Sequence, residues 1–299
     1  MADRERAQII DPYAAMSDGE RGPFPFDLYE RSCLAQGDSW FSMGAIPPTR
    51  TTRVLAELKL LRSTVIVNCA YPGAVLRRMT DTVREQGFLN LLGGRRARRF
   101  DVILLSGGGN DLIDAIGSPP GSAPALRLLR TPAERGPGPL VPADYVSEAG
   151  WQTFADHIGA VYADLVSLRD ASKFNAATPI VWHNYARVMP RPSPAGAGFG
   201  PWLLPALQRY EVPTAEHLAL ADELLGRLRA LIDGLVAAQL ALNPADGLYV
   251  VDSMSAGLEL SDSAATGDSG DWLNEIHPNR AGYQKCAMAW EKVLDPLLG

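Results

Sequence analysis

The chain has 299 residues, 46% hydrophobic and 21% charged, enough for one large domain or two modest ones. A mean hydropathy of −0.05 excludes a disordered or collagen-like chain. The net charge of −6 argues against nucleic acid or an anionic membrane surface as the main partner.

The N-terminus, MADRERAQIIDPYAAMSDGERG, is charged and lacks the apolar stretch of a signal peptide. No run reaches the roughly 18 apolar residues of a membrane span. The expectation is a soluble protein, cytoplasmic or a leaderless form of a secreted one. Short apolar runs predict strands at Ser32–Gln36, Thr64–Cys69, Asp101–Ser106, Pro179–His183 and Leu248–Asp252. The middle three show little polar alternation, as in strands covered on both faces. A helix is predicted where Trp151, Phe154, Ile158, Val161, Tyr162, Leu165 and Leu168 recur at helical steps. A second runs through Ala221, Leu224, Leu225, Leu228, Leu231, Ile232 and Leu235, with Thr214 as its N-cap. A last helix starts at Asn279 and runs to about Leu297. Strands alternating with helices imply an α/β protein with a parallel sheet. Two long insertions, 117–142 with seven prolines and 190–205 with five, are expected to wall a cleft at the sheet's carboxyl edge. No repeat or linker divides the chain, so residues 1–299 are expected to form a single domain.

Three cysteines, Cys33, Cys69 and Cys286, lie far apart without a CxxC and read as three reduced, buried thiols. The Arg95–Arg99 run reads as a solvated face. The chain has no GxSxG, Walker A, HExxH or GxGxxG motif. Polar residues instead gather where strands end. Gly37-Asp38-Ser39 follows the first strand, and Asn68-Cys69-Ala70-Tyr71-Pro72-Gly73 ends the second. Gly73 reads equally as a turn glycine or as a close backbone donor to a reacting oxygen. Gly107-Gly108-Gly109-Asn110-Asp111 ends the third, its glycines implying backbone crowding near a ligand and Asn110 offering an amide or a helix cap. Asn274-Glu275-Ile276-His277-Pro278 precedes the last helix. Gly267-Asp268-Ser269 repeats the first block with no strand ahead and reads as a turn. Asp38 and Asp111 read as structural acceptors, His157 and His217 as ordinary helix residues. His183, at the end of the fourth strand, is a weaker candidate for substrate contact. Trp40 and Phe41 fit a substrate pocket or the core equally.

Taken in order, Ser39, Gly73, Asn110 and His277 resemble the four blocks of the SGNH hydrolase superfamily, also called GDSL-type esterases and lipases. The resemblance implies a three-layer α/β/α, flavodoxin-like fold with a five-stranded, mostly parallel sheet. It implies a serine esterase acting through an acyl-enzyme on a small-molecule ester, with no metal or organic cofactor. Ser39 would be the nucleophile and His277 the base, with the Ser39 and Gly73 N–H groups and the Asn110 side chain as oxyanion hole. The family's D-x-x-H block has Asn274 at its first position here. That leaves three alternatives for orienting His277: Asn274 itself, a nearby carboxylate (Asp271, Glu275 or Asp252), or none. A thioesterase, carbohydrate deacetylase or acyltransferase would share the site, and a non-catalytic binding module would share the fold.

Overall fold

The computed structural model describes residues 4–18, 23–43, 52–81 and 83–299. Its centre is a six-stranded, wholly parallel sheet of β1 (Gln8–Ile10), β2 (Arg31–Gly37), β3 (Thr64–Asn68), β4 (Val102–Ser106), β5 (Ile180–His183) and β6 (Leu248–Val251). The spatial order is β1-β3-β2-β4-β5-β6. The five strands expected from sequence lie within one residue of their expected limits and follow the 2-1-3-4-5 order of flavodoxin-like sheets. The sixth, β1, is a correction to the five-stranded expectation. It has three residues, of which only Ile10 is buried, too few to show a periodic pattern.

The buried runs in β3 and β4 arise because both faces are covered. The principal helices are α1 (Gly109–Ile116), α2 (Glu148–Asp170), α3 (Leu203–Arg209), α4 (His217–Leu242) and α5 (Arg280–Leu298). Successive residues of β5 point to opposite faces. Trp182 stacks on Tyr162 of α2, with ring centroids 5.0 Å apart, while His183 packs against Trp290 of α5 at 5.4 Å. The sheet therefore lies between α2 on one side and α5 on the other. Among the described residues no helix is long and apolar enough to cross a membrane.

Helix starts follow local chemistry. Asn279 caps α5 by accepting the Gly282 N–H at 3.1 Å, as expected. Thr214 instead opens a short 3-10 turn, Thr214–Glu216, and α4 begins after it at His217 without a side-chain cap. The 117–142 insertion also departs from expectation. It follows α1 rather than a strand, folds into short helical turns at Pro124–Leu126, Pro132–Arg135 and Pro142–Tyr145, and packs on the start of α2.

β2 and β4 approach so closely at their carboxyl ends that a Cβ on Gly37 would lie 2.7 Å from the Ser106 Cβ and 2.9 Å from its carbonyl oxygen. Gly37→Ala should therefore lower stability by about 1–3 kcal/mol, the usual range for overpacking. A lowered thermal midpoint in calorimetry checks this.

Candidate active site

After Gly37 the chain turns sharply. The Asp38 N–H donates to the Ser106 carbonyl at 3.0 Å, and the Asp38 carbonyl accepts the N–H groups of Phe41 and Ser42 at 3.2 and 3.1 Å. This turn holds Ser39 at the sheet's carboxyl edge, 7% exposed. The β3 loop is tied to it: Asn68 Nδ2 donates to the Phe41 carbonyl at 2.9 Å, and the Tyr71 N–H to the Gly37 carbonyl at 2.9 Å. Gly73 follows at φ +74°, a left-handed conformation that favours glycine, with open space where a side chain would project. Asn110 lies in the first turn of α1, and its Nδ2 donates to the Ala74 carbonyl at 3.0 Å. One amide hydrogen is used in that bond, which leaves the second for another acceptor. Among the described residues, neither the Ser39 N–H nor the Gly73 N–H donates to a protein acceptor. The crowding at 107–109 comes from the protein itself: Leu76 abuts Gly107, and the Tyr185 ring abuts Gly109.

His277 reaches this rim from the loop before α5. Its Nε2 stands 2.7 Å from Ser39 Oγ, and its Nδ1 stands 2.8 Å from Asn274 Oδ1. The same Oδ1 accepts the backbone N–H of His277 at 3.0 Å and of Ile276 at 3.3 Å. Those backbone donors fix which end of the amide faces the ring, since an NH₂ there would oppose two N–H groups. Nδ1 therefore carries the proton, and Nε2 accepts from the serine hydroxyl.

The carboxylate alternatives are engaged elsewhere. Asp271 binds Lys285 at 2.5 Å and the Glu259 N–H at 2.6 Å. Asp252 binds Arg229 at 2.8 Å and Asn184 at 3.1 Å. Glu275 accepts the N–H groups of Trp202, of Leu203 at 2.9 Å and of Leu204 at 2.8 Å, capping α3, and that of Arg191 at 3.2 Å. The buried Arg191 guanidinium in turn donates to the Asn274 carbonyl at 2.9 Å. Burial without an adjacent carboxylate pushes the His277 imidazole down to about 3.

Ser39, Gly73, Asn110 and His277 line one cleft together, with Phe199 and Trp202 from the 190–205 insertion as an apolar wall. The 117–142 insertion contributes nothing to the lining of that cleft, so only one of the two expected walls is found.

Behind Ser39 lies a buried polar chain that sequence reasoning missed. His183 touches Ser253 Oγ at 3.2 Å and Ser106 Oγ at 2.8 Å. Ser106 donates to Asp38 Oδ1 at 2.7 Å, and Tyr185 donates to Asp38 Oδ2 at 2.5 Å. A serine closing the otherwise apolar run of β4 was the available signal. Burial lowers His183 to about 3 and raises Asp38 to about 6, so His183 is neutral and donates from Nε2 to Ser106. His183 is fully buried and outside the cleft lining, which corrects its candidacy for substrate contact. Asp38 is a structural acceptor, and Asp111 likewise accepts the Leu76 N–H at 2.9 Å.

The remaining candidates are ordinary. His217 bonds the Val212 carbonyl at 3.0 Å, and half-exposed His157 lies 3.8 Å from Asp111. Trp40 and Phe41 join the aromatic core around His183, and Trp40 also lines a cavity beside Ser39. Asp268 of the second Gly-Asp-Ser copy accepts from Asn279 at 2.8 Å in an irregular loop. In the arginine run, Arg95, Arg96 and Arg99 are exposed, while Arg98 covers the Phe26 ring. Cys33 and Cys286 are buried and Cys69 is partly so, all as free thiols. Among the described residues no three His, Cys, Asp or Glu side chains converge as metal ligands.

No family model matches the chain, and no curated protein sequence matches it. Solved structures of similar shape include an aryl esterase of M. smegmatis, at 13% identity over 89% of this chain and 99% of that one, with a TM-score of 0.48. A phospholipase A1 from Streptomyces albidoflavus matches at 16% identity over 89% and 98% of the two chains, with a TM-score of 0.45. A carbohydrate acetylesterase from Sinorhizobium meliloti matches at 12% identity over 89% and 99%, with a TM-score of 0.45. All three scores lie below 0.5, and the functional reading rests on the geometry of the site.

His183 binds no proton in the fold between its folded value of about 3 and the ordinary 6.5, whereas the unfolded chain does. That difference lowers stability as pH falls through this window. His183→Gln should therefore make the fall between pH 6 and pH 4 shallower by about one proton, or about 1.4 kcal/mol per pH unit. Urea unfolding at several pH values measures the slope.

Proposed function

We propose that this chain is a serine esterase of the SGNH type that hydrolyses carboxylic esters through an acyl-enzyme. The observation that carries this reading is the 2.7 Å contact from Ser39 Oγ to His277 Nε2, at a rim where Ser39, Gly73 and Asn110 line the same cleft and the Ser39 and Gly73 N–H groups have no protein acceptor among the described residues. A serine hydroxyl is a poor nucleophile until a base takes its proton. In the proposed reaction Nε2 accepts that proton as Oγ attacks the ester carbonyl carbon. The carbonyl oxygen becomes an oxyanion facing the Ser39 and Gly73 N–H groups and the Asn110 amide. The protonated imidazole then delivers its proton to the leaving oxygen as the carbon–oxygen bond breaks, which frees the alcohol and leaves the acyl group on Oγ. Water repeats the sequence from the other side: Nε2 takes its proton, the hydroxide attacks, and the proton returns to Oγ as the acid departs.

Asn274 orients His277 in this scheme but brings no charge to the imidazolium that forms. The His277 ring then stays neutral well below the ordinary imidazole value, and the acid limb of kcat/KM should lie below pH 6.5. Asn274→Asp should pull that limb upward, because an adjacent carboxylate favours the protonated ring. Asn274→Ala should lower kcat/KM about tenfold or more, a barrier rise of at least about 1.4 kcal/mol. Activity and acid limb unchanged in both variants would remove Asn274 from the mechanism.

A fluorophosphonate probe tests the nucleophile. Labelling should fall on Ser39 and vanish in Ser39→Ala. Asn110→Ala should retain folding and lose about 100- to 1,000-fold in turnover, as for removal of one oxyanion donor. A folded protein that takes no label would favour the binding-module alternative.

A further inference from the structure

Two cavities meet at Ser39, and they differ in kind. Both are lined by Ser39, Asn110 and Ile276. The first runs inward between α1, α3 and α4, walled by Leu112, Ile113, Ile116, Leu203, Ala221 and Leu224. It holds about 50 Å³ of space that a water-sized group can occupy. The second is the cleft under Phe199 and Trp202, which offers about 330 Å³ on the same measure and is lined by His277. His277 does not line the slot.

We infer that the slot receives the acyl chain and the cleft receives the alcohol, which makes the preferred substrates short-chain acyl esters of ring-sized apolar alcohols. The inference rests on the serine esterase reading. Its logic is proton transfer: the group that protonates the leaving oxygen must lie within hydrogen-bond reach of it. The leaving alcohol therefore occupies the cavity that His277 lines. The other substituent of the attacked carbonyl then enters the slot. The slot's apolar walls suit a hydrocarbon chain, and its small volume beside that of the cleft favours a short one. The cleft has room for a ring, and Met43, Pro72, Phe199 and Trp202 give it apolar surface to lie on.

The test is a matrix of esters. The acyl series uses p-nitrophenyl acetate, butyrate, hexanoate and octanoate, and the alcohol series uses ethyl and 1-naphthyl butyrate. The wild-type protein should show kcat/KM at least tenfold higher for butyrate than for octanoate, and higher for the naphthyl than for the ethyl ester. Ala221→Leu fills the slot and should move the acyl optimum to acetate. Ile116→Ala empties space along α1 and should raise the octanoate-to-butyrate ratio several-fold. Phe199→Ala should lower the naphthyl-to-ethyl ratio without moving the acyl optimum. Wild-type preference for octanoate, or a Phe199→Ala effect on acyl length in place of alcohol choice, overturns the assignment. Fluorophosphonate labelling of Ser39 in the same samples separates the two levels of failure. Labelling with the wrong length profile overturns the division of the site alone. Wild-type protein that takes no label overturns the esterase reading beneath it.

Discussion

Strand β2 is hydrogen-bonded on both edges, to β3 along one and to β4 along the other, and the sheet reverses its strand order there. In open α/β sheets such a reversal parts the loops at the carboxyl ends and leaves a crevice. Here the three loops around the crevice bring Ser39, Gly73 and Asn110 together. They are then cross-tied, through Asn68 to Phe41, Tyr71 to Gly37 and Asn110 to Ala74. The closeness of β2 and β4 at Gly37 and Ser106 sets how far apart the first and third loops can stand.

The fourth polar group, His277, comes from outside the sheet, and its Nδ1 meets a neutral amide, that of Asn274. Asn274 is 1% exposed. A carboxylate buried to that degree must be compensated by donors or a counter-charge. The amide oxygen avoids that desolvation while still accepting three N–H groups, one from the ring and two from the backbone. In the proposed reaction the trade is electrostatic: burial is easier, and an imidazolium on His277 would gain less support.

Sequence patterns revealed what is periodic or lies next to a strand end. The apolar runs of β3 and β4 and the helical repeats of α2 and α4 were plain because each extends over several turns or a whole strand. The polar groups of the site stood out because they follow those runs directly. Other features depend on contacts between residues far apart in the chain and leave no local signature. Glu275 looked like a partner for its neighbour His277, but its carboxylate caps a helix more than 70 residues away. His183 marked the end of a strand, yet its ring turns into the core towards Ser106 and Ser253. The proline-rich segments read alike from composition, although α1 intervenes before 117–142 and carries it away from the crevice. β1 went unseen because its pairing comes from β3 rather than from its own residues.

Glu275 and Arg191 lash the loop bearing His277 to the insertion bearing Phe199 and Trp202. In the proposed reaction, the wall beside the leaving alcohol and the ring that would protonate it are thus tied by the same two side chains. On that reading, a guest too broad for the opening that wedges the wall outward would also draw the imidazole away from its serine. Poor fit would then slow turnover as well as weaken capture, and the proton donor's own mounting would enforce selectivity.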